Sequence, residues 1–153
     1  MKSLELKIPP PVYALGIGLL MWLLNEHFPL FHFISSPWNK IGIGIILIAG
    51  SLDLWSLVLF FKKHTTPNPM KPENTTGLVI KGLYKFTRNP MYVGLQVILI
   101  GFAIWLGSLT PFIVLPLFYW VITEMQIKPE EKILEAKFGD EYLNYKKSVR
   151  RWL

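Results

Sequence analysis

The stretch IGIGIILIAGSLDLWSLVLFF, residues 41–61, decides the fold: it is long enough to cross a bilayer as a helix and carries one charge, Asp53. A spanning helix needs about 20 mostly apolar residues. Working outward, the chain holds three further apolar runs. VYALGIGLLMWLL, residues 12–24, is short and follows Pro9, Pro10 and Pro11. Met91 to Leu106 and Pro111 to Met125 are separated only by GSLT, which predicts a tight helical hairpin. Of the 153 residues, 52% are hydrophobic, and mean hydropathy is +0.38, beyond an ordinary soluble domain.

Charge supports the same partition, because Lys and Arg gather on the cytoplasmic side of membrane proteins. With the N-terminus inside, two basic residues precede the first run, six lie between the second and third, seven follow the fourth, and only Lys40 falls outside. The expected fold is an all-α integral membrane protein with four transmembrane helices and both termini cytoplasmic. Residues 1–153 form a single membrane domain with spans at about 11–25, 40–61, 91–107 and 110–126. The cytoplasmic loop 62–90 and C-terminal helices 128–153 cap the bundle. The expected location is a prokaryotic plasma (inner) membrane. The net charge of +6 is accounted for by topology and anionic headgroups, not by nucleic acid. With no cysteine, disulfides, thiol nucleophiles and thiolate metal sites are excluded. The N-terminal run lacks a small-residue cleavage site and reads as a retained span.

Chemistry is left to the two cytoplasmic segments. In the first, Pro67, Pro69 and Pro72 predict an irregular start, and LVIKGLYKF a strand-like or turn-containing piece broken at Gly82. In the second, Pro129 in a first turn, Glu130 and Glu131 at the positive end of a dipole, and Gly139 as a stop predict one helix. DEYLNYKKSV predicts another, with Tyr142, Tyr145 and Val149 on a face that lies on the membrane or on the protein.

Asn89 and Pro90 read as the cap and first residue of the third span. Arg88 either snorkels to headgroups or, with the free N–H groups of that helix start, cradles a carboxylate or phosphate. Tyr84 and Tyr92 are interfacial belt residues or pocket walls for a cation such as a sulfonium. Asp53, near mid-span, costs about 2.5 kcal/mol or more, which makes a functional role the default, the alternatives being a protonated acid or a side chain bonded to Ser51 or Ser56 inside the bundle. His27, His32 and His64 form no metal-ligand arrangement. No Walker or G-x-G-x-x-G sequence occurs.

Taken together, LVIKGLYKFTRNPMYVG and PEEKILEAKFGDEYLNYKKSVRRW, with a helical hairpin between them, resemble the integral-membrane methyltransferases grouped with isoprenylcysteine carboxyl methyltransferase and the phospholipid N-methyltransferases. The resemblance covers roughly residues 76–150. It implies S-adenosylmethionine bound at the cytoplasmic end of the bundle, contacted by Thr76, Gly77, Leu78, Val79, Tyr84, Asn89, Pro90, Met91 and Tyr92, with Glu130 closing the pocket. Glu130 and Arg88 are the expected catalytic residues, and Gln126 and Asp53 the expected substrate contacts. Asn89 stands where the prenylcysteine enzymes have His, and Gln126 where they carry an Arg for the substrate carboxylate. The expected partners are membrane lipids and a lipophilic or small amphipathic methyl acceptor. A four-span scaffold or lipid-binding protein is the alternative, and a transporter built on Asp53 the third.

Overall fold

The computed structural model describes residues 5–62 and 77–153. Among these all regular structure is helical: α1 (Pro10–His27), α2 (Ile41–Lys62), α3 (Pro90–Leu106), α4 (Leu109–Ile122), α5 (Lys128–Phe138) and α6 (Asp140–Ser148). Short 3-10 turns, Trp38–Lys40 and Gly82–Lys85, precede α2 and α3. The LVIKGLYKF piece forms no strand; residues 78–80 are irregular and lead into the second turn.

Helix α3 is the axis of the molecule, with α2 lying along it and α1 and α4 packed against it and each other. Ala14 and Met21 of α1, Tyr92, Leu99 and Ala103 of α3, and Val114, Phe118 and Ile122 of α4 form the buried core. The outer surfaces are as apolar as the inside: Leu15, Leu47, Ile48, Leu54, Trp55 and Ile113 are all exposed. The α3–α4 connection is two residues long because Gly107 adopts φ +82°, a left-handed conformation that ends a helix at little cost only for glycine. A Cβ there would also run into the Ile34 carbonyl.

The fourth helix does not stop where the apolar run ends and the cytoplasmic tail was expected to begin. A π-helical turn, Thr123–Ile127, joins α4 to α5. Leu109–Phe138 is thus one continuous run, long and apolar enough to cross a membrane by length and composition, while Pro90–Leu106 is a shorter apolar helix. Pro129 has no N–H to return to the Met125 carbonyl, which would otherwise be orphaned. Leu6 supplies the missing donor at 3.1 Å, adopting φ 57° to do so, and Gln126 Nε2 donates to the Ile8 carbonyl at 2.8 Å. Segment 5–9 therefore straps across the turn. The dipole reading of Glu130 and Glu131 falls away, because a helix that runs through position 128 has no free N-terminus there.

A second strap closes the same end. Arg88 N–H donates to the Arg150 carbonyl at 2.9 Å, Thr87 Oγ1 to the Arg151 carbonyl at 3.1 Å, and Trp152 Nε1 to Thr123 Oγ1 at 3.3 Å. The Trp152 ring packs on Tyr119 with centroids 4.7 Å apart. The aromatic face of α6 lies on the protein: Tyr142 is buried, and Tyr145 donates its hydroxyl hydrogen to the Tyr84 carbonyl at 2.7 Å.

Candidate functional site

Gly82, at φ +64°, turns the chain into the 3-10 turn that carries Tyr84 inward, where it is 7% exposed. Thr87 accepts the Asn89 N–H at 3.2 Å, and Pro90 opens α3 with the φ that a helix requires. Two residues on, Tyr92 is buried and donates its hydroxyl hydrogen to Glu130 Oε2 at 3.0 Å. Glu130 Oε1 accepts no hydrogen bond among the described residues. Burial pushes Glu130 up to about 7, the Tyr92 bond pulls against it, and the neighbouring Glu131 charge adds to it. Tyr84 is raised well beyond the usual phenol range by burial and then by the charges of Glu130, Tyr145 and Asp53. One carboxyl and two phenols thus come together at the end of the bundle, and the space beside them is called the recess below.

Glu131 belongs to a different structure. It accepts from Arg88 at 2.7 Å and from Arg151 Nε and Nη2 at 3.0 and 2.7 Å. Burial alone would raise its carboxyl, but the Arg151 bonds and the charges of Arg88, Arg151 and Lys146 outweigh it and hold it below the usual range. The snorkelling and cradle readings of Arg88 are both corrected: its side chain is 8% exposed, bound to Glu131 and to the Lys146 carbonyl at 3.1 Å. The carboxylate that Arg88 holds is the chain's own.

The Asn89 side chain does not cap α3. Its amide donates to the Arg151 carbonyl at 2.9 Å, because that carbonyl of the C-terminal strap sits where an acceptor is required. The helix start is not a row of free donors either. Pro90 has no N–H, and the N–H groups of Tyr92 and Val93 both bond the Asn89 carbonyl, leaving that of Met91 without a partner among the described residues.

Of the expected site residues, the structure brings Tyr84, Tyr92 and Glu130 together, with Pro90 and Met91 in the turn between them. Gln126 is fully buried one turn before Glu130, with Oε1 unpartnered. Gly77, Leu78 and Val79 lead up to the Tyr84 turn, Val79 being buried; Thr76 lies outside the described residues. Asp53 borders an apolar groove on the α2–α3 face. Ser51 does not satisfy it, since its hydroxyl donates to the Leu47 carbonyl; the Ser56 side chain lies outside what is described. No group of His, Cys, Asp and Glu suited to a metal occurs among the described residues. Sequence reasoning missed the Tyr145 bond to Tyr84 and the clamp role of Arg151, although aromatic spacing in DEYLNYKKSV pointed at the former.

The sequence is similar to those of known proteins. An uncharacterized protein of Haemophilus influenzae is 48% identical over 63 residues, which is 41% of this chain and 100% of that protein. Protein-S-isoprenylcysteine O-methyltransferase of Schizosaccharomyces pombe is 28% identical over 149 residues, covering 89% of this chain and 63% of that one. The Arabidopsis thaliana protein-S-isoprenylcysteine O-methyltransferase A is 24% identical, covering 90% and 71%. No solved structure matches. Residues 38–141, which include α2, the Tyr84 turn, α3, α4 and α5, match the family model for phospholipid methyltransferases, and the chain belongs to that family.

Proposed function

We propose that the chain transfers a methyl group from S-adenosylmethionine to a lipophilic or amphipathic acceptor at the cytoplasmic face of a membrane. The observation that carries this reading is the cluster of Tyr84, Tyr92 and Glu130, in which one carboxylate oxygen accepts from Tyr92 and the other accepts no hydrogen bond among the described residues. The fit to the cofactor is chemical. A carboxylate and electron-rich ring faces suit a sulfonium and an amino group, and Glu130, drawn toward protonation by burial, is stabilised as an anion by a cationic ligand. Bound there, the cofactor would supply an electrophilic methyl group and a neutral thioether leaving group.

The chain's own residues orient and enclose. Tyr92 fixes the Glu130 carboxylate by a hydrogen bond, Tyr145 fixes the Tyr84 turn through its carbonyl, and Arg88 and Arg151 hold α5 in register through Glu131. Arg88 is thus a positioning residue. Methyl transfer asks for little covalent help, so alignment and exclusion of water supply most of the rate.

In this reading α1, α2, α3 and the run from α4 span the membrane, with both termini, the 62–90 loop and α5–α6 cytoplasmic. Support comes from exposed apolar side chains around the bundle, which in water would form a patch far larger than soluble monomers carry, and from the distribution of Lys and Arg between the apolar runs of the sequence. The plasma membrane of a prokaryote is the inferred location. Isothermal titration of detergent-purified protein with S-adenosylhomocysteine tests the cofactor site: saturable binding is expected, weakened at least about tenfold, or about 1.4 kcal/mol, by Glu130→Ala and by Tyr92→Ala. No binding defeats the reading. As the chain has no cysteine, single substitutions Ser35→Cys and Ser148→Cys test topology; an impermeant maleimide added outside cells should label only the former.

A further inference from the structure

The turn that carries Tyr84 inward also has an outer side. Tyr84 is buried, whereas Phe86, two residues on, is 70% exposed and Ile80, just before the turn, is 45% exposed. Lys81 and Lys85 flank these two and are exposed as well. One short segment thus turns a tyrosine inward and an apolar, cationic face outward.

That face continues the outside of the bundle. Leu83 and Phe86 border the same α2–α3 groove as Ile48 and Leu52, whose side chains are exposed. The apolar surface of α2 therefore runs on into Phe86 near the start of α3, and the lysines stand at its edge. Arg150 joins them: it is exposed, and its carbonyl accepts the Arg88 N–H at 2.9 Å, which places it beside the same loop.

No Asp or Glu occurs between Gly77 and Pro90. Lys81, Lys85 and Arg150 form no ion pair among the described residues. An exposed ring in line with an apolar helix surface, edged by cations without anions, matches the boundary between acyl chains and anionic headgroups. An acidic soluble protein would complement the cations but not the unbroken apolar surface leading up from them.

From the inner side the turn is held by the Tyr145 hydroxyl on the Tyr84 carbonyl. A lipid surface gripping Phe86 and the lysines would hold it from the outer side. With both sides held, less freedom is left to be lost when a ligand contacts Tyr84, and affinity rises accordingly.

We propose that the outer face of residues 80–86 is a docking surface for anionic lipid headgroups, and that its seating on the membrane holds the Tyr84 turn ready for the cofactor. This rests on the membrane methyltransferase reading and adds to it a dependence on lipid charge.

The test uses the full chain in nanodiscs of phosphatidylcholine, alone or with about 30% phosphatidylglycerol. S-adenosylhomocysteine lacks the sulfonium charge, so an anionic surface does not itself concentrate it. Calorimetry should show it binding at least about fivefold tighter in the anionic discs. Lys81→Gln combined with Lys85→Gln should erase that difference. Lys132→Gln combined with Lys147→Gln, an equal loss of exposed charge on α5 and α6, should keep it.

Position is read separately. Because the chain has no cysteine, Ile80→Cys carrying an environment-sensitive dye should be quenched by lipid spin-labelled near the headgroup, and Phe86→Ser should reduce that quenching. A dye at position 80 that reports only water, equal affinity in the two discs, or a lipid dependence that survives loss of both lysines overturns the proposal. If S-adenosylhomocysteine binds equally in both discs, the docking proposal falls alone; if it binds in neither, the cofactor reading falls and takes the docking proposal with it.

Discussion

The recess around Glu130 and the clamp around Glu131 are built on successive residues of one helix, yet they have opposite properties. Glu130 has one hydrogen-bond donor, the Tyr92 hydroxyl, and is pushed up to about 7, chiefly by burial. Glu131 has two guanidiniums and sits below the ordinary carboxylate range. A step of one residue turns a side chain by about 100° around a helix. Glu130 consequently faces α3 and its tyrosine, and Glu131 faces the C-terminal strap and the loop before α3. The lesson is that a pair of adjacent acids in a sequence need not be a catalytic pair. Here one acid is satisfied by the protein and stabilises it, and the other is left with open capacity.

The largest effect should come from breaking the satisfied side. Glu131→Ala leaves the mostly buried Arg88 facing Arg151 with no anion between them, and removing one member of a buried ion pair costs about 3–5 kcal/mol. Thermal unfolding in detergent should show a large loss of stability. A loss no greater than that of Glu130→Ala would show that the two sites have been assigned the wrong way round.

Acidity separates the two regions by sign. Glu130 binds its proton more tightly folded than unfolded, so between its ordinary value of 4.5 and about 7 the folded state holds the extra proton and stability falls as pH rises. Glu131 is depressed from 4.5, so its contribution is present above that value and is lost as pH falls through the lower folded value. Melting temperature followed from about pH 2.5 to about pH 8 should lose its alkaline-side decline in Glu130→Gln and its acid-side decline in Glu131→Gln. Identical profiles in the two variants would contradict the contrast.

A smaller effect is expected from binding than from folding on the open side. Glu130→Gln keeps shape and loses charge. It should weaken S-adenosylhomocysteine at least about tenfold, or about 1.4 kcal/mol, with stability near pH 7 unchanged or slightly raised. If stability drops while affinity holds, Glu130 is a second clamp residue and the recess is not a site.

Sequence alone located much of this and missed what depends on distant partners. The apolar runs, the Pro90 start of α3 and the Gly107 corner were legible because each is a local pattern with a local cause. That the Tyr84–Tyr92 segment and the Glu130 segment come together was expected from resemblance to a family, not from composition or periodicity. The π-helical turn was not legible. KPEE reads locally as a helix start, and only a donor from the far end of the chain, Leu6 N–H, lets the helix continue past Pro129. Nor was the division between Glu130 and Glu131 legible, since the dipole argument treats both alike and only packing distinguishes their faces.

Asn89 marks where local reading and tertiary context part. As the residue before Pro90 it has the sequence position of a cap, and resemblance to the family suggests a cofactor contact. In the structure its side-chain amide binds the Arg151 carbonyl at 2.9 Å, a carbonyl that also accepts from Thr87. Replacing it with Ala therefore removes one of two donors to the same acceptor, so no buried group is orphaned and the loss is that of a single net hydrogen bond, about 1 kcal/mol. Asn89→Ala should lower melting temperature slightly, through a looser C-terminal strap, and leave S-adenosylhomocysteine affinity within about twofold. The reverse result, intact stability with at least about tenfold weaker binding, would move Asn89 from the clamp to the recess and show that its amide turns toward the ligand on binding.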